Sequence, residues 1–577
     1  MDLATRRRAG LLIALFGIAF SAVLVRLYSI QVSAHETFVA RREAQTRGVM
    51  RAEAARGEIL DREGQVLAVS VPVESVWANP SALADHAAAA RVLAATLGLR
   101  EADVIDRLSP HHDCPGRCPG RRPGKDFVWI KRKVSEREAE AVRRLQIDPL
   151  FRMEKKSTEP RVGLVTEYVR RYPFGSFLGH VVGFLSEDPA MNEGMERSMN
   201  PWLAGQGSVI SISVDGCRRP LGPPPLGTPG ADVVLTLDVL FQKVVEEELD
   251  AACAEYRPKW AVAVAMDPRT GAILAVANRP VFDPNEPAKS AGEARLDRAV
   301  AAPYEPGSTL KPFLAALAID RGLATPLTKF DCENGLWKYG SRILHDHHPY
   351  GTLTLTDVVV VSSNIGAAKL GALTLGKERL HEGLRRFGFG SRTGVDLPAE
   401  DDGRLFPLAR WSSFSITSVP IGHEIAVTPL QLVAAMSAIA NGGTLRRPYL
   451  VQRVRAQDGT ILAENGPSEV RRVIQEKTAR EMVEILKGVV ERGTGKKAQV
   501  PGVAVAGKTG TTQKVDPRTR QYTHEKFISS FVGFAPAEKP RACVAVVMDE
   551  PQGAYYGGAV AAPVVGRIFQ RGLIHLK

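Results

Sequence analysis

Cysteine is scarce, six in 577 residues, which excludes the disulfide framework that short secreted scaffolds rely on. Cys217, Cys253, Cys332 and Cys543 stand alone in sequence and read as small buried residues. Cys114 and Cys118 lie in HHDCPGRCPG beside His111 and His112. Their spacing is C-x-x-x-C and no second half follows, so a turn-rich insertion, with a local disulfide if the compartment is oxidising, is expected ahead of a metal site. Aromatics are few, at 6%. Neither an aromatic-studded basic stripe nor a zinc-finger spacing accompanies the net charge of +12, which argues against nucleic acid. The charge suits an anionic lipid surface or an acidic polymer instead. With 44% hydrophobic and 24% charged residues there is no bias towards disorder, and the length predicts two or three domains.

One long uncharged run is present. Arg6, Arg7 and Arg8 precede AGLLIALFGIAFSAVLV at Ala9–Val25, just long enough for a membrane-spanning helix. The arginines would stay cytoplasmic and the rest would lie outside. The alternative is a signal peptide cleaved near Val32, Ser33 and Ala34, but the run exceeds the usual apolar core of such segments. An uncleaved single-pass anchor at 9–25 behind a tail at 1–8 is therefore expected.

Residues 26–218 mix short apolar pieces with many charges and show no nucleophile–base pair. Arg56–Ala68 (RGEILDREGQVLA) predicts a hairpin turning at Asp61–Gly64, Glu136–Leu145 a helix, and Gly179–Phe184 (GHVVGF) a buried strand. RPLGPPPLGTPG at 219–230 reads as a linker. Beyond it, over 231–577, Asp232–Asp238, Trp260–Met266 and Ala272–Asn278 read as strands, with Leu240–Ala252 helical between them. Helices dominate from Ser308 to about Ser437. Strands return at Val503–Ala506, Phe527–Phe534 and Arg541–Met548, which predicts an α+β domain whose sheet is assembled from both ends of the segment.

Three short motifs carry chemistry. In YEPGSTLKPF (Tyr304–Phe313), Ser308 and Lys311 open a predicted helix on one face, as a serine nucleophile beside a lysine kept neutral in a dry site would require. S-x-x-K alone should arise by chance roughly two or three times in such a chain. Ser362 and Asn364 sit at the edge of a buried helical segment, where they could bond the lysine and a substrate amide. A capping pair is the plain structural alternative. Lys508, Thr509, Gly510 and Thr511 follow the predicted strand at 503–506, and Gly507 and Gly510 would clear its edge for an extended peptide.

In this order, S-x-x-K, S-x-N and K-T-G match the signature of the penicillin-recognising serine enzymes. The chain resembles the class B penicillin-binding proteins, monofunctional D,D-transpeptidases that cross-link peptidoglycan. The likeness extends to RRYPFGSFLGHVVGF at Arg170–Phe184, MDPRTGAILAVANRPVFDPN at Met266–Asn285 and VTPLQLVAA at Val427–Ala435. YYGGAVAAPV at Tyr555–Val564 is most similar to the division-specific branch.

The resemblance implies an N-terminal anchor, an elongated non-catalytic pedestal and a β-lactamase-like transpeptidase domain. It implies that Ser308 is acylated by the penultimate D-Ala of a stem peptide. Lys311 would take its proton, Ser362 would relay a proton to the leaving D-Ala, and Asn364 would orient Lys311. Lys508, counted with the catalytic residues, and Thr509 would hold the lysine network and the terminal carboxylate. Thr511 would add a hydroxyl, Gly510 would belong to the same substrate-binding strand, and the Ser308 and Thr511 N–H groups would form the oxyanion hole. No cofactor or metal is implied. β-Lactams would act as covalent inhibitors, and a glycosyltransferase of the division machinery with its associated membrane proteins would be the partner.

The chain departs from the family in having Asp297 where Asn is usual, and Gly422-His423-Glu424 where Gly-x-Gly is frequent. His345-Asp346-His347-His348 looks metal-like but falls in a loop. A β-lactamase or carboxypeptidase is the alternative enzyme, although no carboxylate for activating water is assignable. A non-catalytic sensor or division scaffold is the alternative outside enzymology.

Overall fold

The computed structural model describes residues 3–33, 35–37, 47–52, 54–109, 128–145, 150–151, 161–186, 188–213, 227–516, 518–519 and 521–576. Cys114, Cys118, Cys217 and most of the 219–230 segment lie outside the described residues.

Two compact units alternate along the sequence. The smaller comprises Met1–Ala55, Val71–Val169 and Gly205–Pro229, the larger Arg56–Ser70, Arg170–Ala204 and Gly230–Lys577. In the smaller unit, Leu3–Tyr28 form a helix whose apolar side chains between Leu11 and Val25 are exposed. Gly10–Ser33, with mean hydropathy 2.3, is long and apolar enough to cross a membrane, at 1.5 Å per residue spanning about 36 Å. Its folded part pairs the strand Val66–Ala78, from Glu74 onward, with Val128–Val134. The helices His86–Leu97, Glu101–Leu108 and Glu136–Leu145 share a core of Val76, Leu93, Leu97, Val104, Ile130 and Val142.

The larger unit holds a five-stranded antiparallel sheet ordered Ala506–Val515, Tyr522–Ala535, Ala542–Asp549, Trp260–Met266 and Ile273–Arg279. The expected assembly from both ends of the segment is what folds. Alternation sends Ala261, Ala263 and Ala265 to one face, against the helices Val239–Tyr256 and Gly557–Gly572. Val262, Val264 and Met266 go to the other, with Phe313, Leu314 and the wholly buried helix Pro429–Ala440. Both faces are covered, which is why these strands read as continuous apolar runs.

Arg56–Ser70 and Arg170–Ala204 belong to the larger unit although they fall within the stretch expected as one pedestal over 26–218. Ile59–Leu60 turns through Asp61 to pair antiparallel with Val66 and Ala68, as the hairpin pattern predicted, and also runs parallel to Asp232–Leu235. The carboxylate of Glu196, fully buried, receives Arg56 Nε and Arg170 Nε at 2.6 Å each. Replacing Glu196 by Gln leaves two nearly buried guanidinium groups without a counter-charge, so chemical denaturation should show a loss of about 3–5 kcal/mol.

GHVVGF is buried as expected but forms a helical turn, Gly179–Val182, and not a strand. The chain folds back too tightly for extension: Gly183 is held at φ +72°, with Glu193 O 1.9 Å from where a Cβ would stand.

Candidate active site

Ser308 lies in a 3-10 turn, Gly307–Leu310, that runs into the helix Lys311–Asp320 with Pro312 in its first turn, where proline is tolerated. The turn is packed backbone to backbone. Gly307 (φ +55°) leaves 2.3 Å between a would-be Cβ and Thr512 Oγ1, and its N–H donates to Gly422 O at 3.2 Å. Ser308 is half-buried, whereas three residues on Lys311 is 1% exposed.

The Lys311 amine makes three hydrogen bonds, to Ser362 O (2.6 Å), Ser362 Oγ (3.2 Å) and Asn364 Oδ1 (2.8 Å). None goes to Ser308, so the direct contact expected from the three-residue spacing is not made in this arrangement. Its donors are taken by the second motif instead.

That motif occupies a break between the helices Leu355–Val360 and Asn364–Lys369. Ser362 is held at φ +65°, a left-handed conformation costly for a residue with a side chain; its carbonyl and hydroxyl both face Lys311. The plain capping alternative applies to its neighbour, since Ser363 Oγ accepts from Gly366 N at 2.9 Å. Asp346 locks the break. Its carboxylate receives Ser363 Oγ at 2.6 Å, Ile365 N at 3.0 Å and Asn364 N. The metal-like HDHH stretch thus supplies an anion to the start of a helix.

Lys508, fully buried, donates to Ser362 Oγ at 3.0 Å, so one hydroxyl bridges both lysines. Lys508 also reaches Thr509 O (3.1 Å) and Thr509 Oγ1 (3.2 Å), and Thr509 Oγ1 meets Thr494 Oγ1 at 2.7 Å. Thr511 Oγ1 accepts from Gly557 N at 2.9 Å. K-T-G sits inside the strand Ala506–Val515, not after one at 503–506, and this strand is an edge of the sheet.

Its glycines do a different job from the one the sequence suggested. A Cβ on Gly507 would stand 2.5 Å from the Phe531 ring, and one on Gly510 would stand 2.4 Å from Ser530 Oγ and 2.9 Å from Pro306 O. They let the strand close on its own sheet and on the Ser308 turn.

Burial sets the electrostatics. It brings Lys311 down to about 7, opposed by the negative charge of Asp346. Burial, then the charge of Lys311, holds Lys508 well below the ordinary lysine range. A buried lysine with a free-base population near neutral pH, three residues after a half-buried serine, suits acyl transfer. Two carboxylates of the nearby segments are held by the protein: Asp346 by its three donors, and Glu305 by His423 Nδ1, Glu424 N and Tyr522 OH. Motif reading named Asp346, His423 and Glu424 but not their roles, and passed over Tyr522 and Thr494, since each acts through a partner distant in sequence.

Comparison with known proteins gives the family. Residues 261–570 match the family model of the penicillin-binding protein transpeptidase domain, and residues 51–235 that of the penicillin-binding protein dimerisation domain. Stage V sporulation protein D of Bacillus subtilis is 33% identical over 99% of this chain and 86% of its own length. Peptidoglycan D,D-transpeptidase FtsI of Escherichia coli is 31% identical over 96% of this chain and 89% of its own. Among solved structures, penicillin-binding protein 3 of Mycobacterium tuberculosis, in complex with aztreonam, superposes with a TM-score of 0.68 at 28% identity, covering 92% of this chain and 98% of that one. With a serine turn, two buried lysines and their bridging hydroxyl on a transpeptidase fold, the chain belongs to the class B penicillin-binding proteins, the serine-type peptidoglycan D,D-transpeptidases.

Proposed function

We propose that Ser308 is the nucleophile and that the two lysines and Ser362 form its proton path. The observation that carries this reading is the single Ser362 hydroxyl held between the Lys311 and Lys508 amines. Ser308 Oγ attacks the carbonyl carbon of the penultimate D-Ala while free-base Lys311, released from one of its three bonds, takes the hydroxyl proton. The tetrahedral oxyanion is received by the Ser308 and Thr511 N–H groups, at about 3–4 kcal/mol per donor in comparable sites. Collapse breaks the peptide bond, and the departing D-Ala nitrogen gains its proton from Lys311 through Ser362. Asn364 keeps Lys311 oriented and binds the donor amide. Lys508, Thr509 and Thr511 hold the terminal carboxylate, and Gly510 lets their strand reach the nucleophile turn. An amine of a second stem peptide then attacks the ester carbonyl, forming the cross-link and restoring Ser308.

The same reading places residues 1–8 in the cytoplasm and the anchor in the inner membrane. The pedestal over 26–218, the linker at 219–230 and the transpeptidase domain at 231–577 then lie in the periplasm. The role is septal wall synthesis beside a membrane glycosyltransferase and associated division proteins, which the likeness to FtsI and the YYGGAVAAPV segment support. Depletion in the native cell is expected to give filaments without septa; rounded cells would point to elongation instead.

With a synthetic pentapeptide donor and an amine acceptor, the expected products are free D-Ala and the cross-linked peptide. Hydrolysed donor alone would favour a carboxypeptidase.

A further inference from the structure

Glu305 lies three residues before Ser308, and its largely buried carboxylate joins three chain segments. Oε2 accepts from His423 Nδ1 at 3.0 Å, Oε1 from Glu424 N at 3.1 Å, and Tyr522 OH reaches the two oxygens at 3.0 and 3.3 Å. Side-chain exposure is 16% for Glu305 and 20% for His423. The His423 ring stands edge-on to Tyr522, with centroids 4.7 Å apart and planes at 72°. Glu424, at φ +61°, is held in turn by the Ser415 hydroxyl.

The three segments are those that build the site. Glu305 begins the nucleophile turn. His423 and Glu424 follow Gly422, whose carbonyl accepts from Gly307 N. Tyr522 opens the second arm of the hairpin whose first arm carries Lys508–Thr511, pairing with Val515. A carboxylate serving an imidazole, a backbone amide and a phenol from separate segments has few positions that satisfy all of them.

We infer that Glu305, His423 and Tyr522 form a clamp that sets the nucleophile turn against the K-T-G strand, acting as positioning residues for acylation. Against the family's frequent Gly-x-Gly, His423 stands at the variable middle position and Glu424 is the residue that departs, giving the clamp a backbone N–H at φ +61°. A clamp of this kind fixes the distance between Ser308 N–H and Thr511 N–H, so it bears on the chemical step and not on capture of the donor.

The inference rests on the acyl-transfer reading above, and the test separates the two. Labelling of the wild-type protein at Ser308 by a fluorescent penicillin tests that reading. Stopped-flow resolution of binding (K) and acylation (k2) in variants tests the clamp. Glu305→Ala should lower k2 about a hundredfold, and His423→Leu and Tyr522→Phe about tenfold each, with K within twofold of wild type. His423→Asn, whose amide N–H can stand where Nδ1–H does, should restore k2 to within threefold. Thermal unfolding identifies any variant that fails to fold, and Tyr522→Phe, which removes one hydroxyl, decides the matter if Glu305→Ala does. An unchanged k2 in Tyr522→Phe and His423→Leu, a rise in K alone, or equal k2 for the Leu and Asn variants at 423 would overturn the clamp.

Discussion

Lys311→Met should lower the rate of acylation by fluorescent penicillin roughly a thousandfold or more, the scale seen when one member of a concerted catalytic set is removed. Methionine keeps the length and apolar stem of lysine and removes the amine. The site loses its base without a large cavity, and with it the cost of burying an ionisable group. Ser362 O, Ser362 Oγ and Asn364 Oδ1 lose a donor, a local cost of about 1–3 kcal/mol per unsatisfied group, so a thermal melt should still show a folded protein. Lys311→Arg should not rescue, because a guanidinium stays protonated and cannot accept the Ser308 proton. Recovery of more than a tenth of wild-type rate in either variant would remove Lys311 from the chemistry.

Asp346→Asn is expected to change both the height and the pH dependence of the acylation rate. With Lys311 near 7 and the free base as the reactive form, the rate in the native protein should climb as pH rises through about 7 and then level. Burial is what lowers Lys311; the Asp346 charge works against it. Removing that charge lowers Lys311 further, so the midpoint should move to lower pH. The plateau should drop about ten- to a hundredfold, because one amide oxygen and an NH2 cannot receive Ser363 Oγ, Asn364 N and Ile365 N together. A pH–rate profile reads both effects, and a midpoint displaced upward would contradict the assignment of Lys311 as base.

What the sequence revealed and what it hid divide along local and distant causes. Trp260–Met266 and Ile273–Arg279 were legible because each carries an apolar run, 260–266 and 273–277, and Pro268 and Gly271 mark the turn between them. The three motifs were legible because each is a short string. Gly179–Val182 looked like a strand for the same apolar reason, and nothing nearby announced that Gly183 would meet Glu193. Gly507 and Gly510 were recognisable as special, but whether a ligand or Phe531 and Pro306 fills the space beside them depends on tertiary packing. Asp346 was visible only as part of a histidine-rich loop, since its partners at 363–365 come close through folding. The place of Arg56–Ser70 and Arg170–Ala204 in the larger unit was likewise hidden, since Glu196 is met by Arg56 across 140 positions and by Arg170 across 26.

The most direct measurement is the site of penicillin attachment. After incubation with a penicillin, the intact mass should rise by one penicillin, and proteolysis should place the whole adduct on the peptide containing Ser308. Ser308→Ala should show none while melting at the wild-type temperature. A stable adduct on another serine, or no adduct on the folded wild-type protein, would contradict the assignment of Ser308 as the acylated nucleophile.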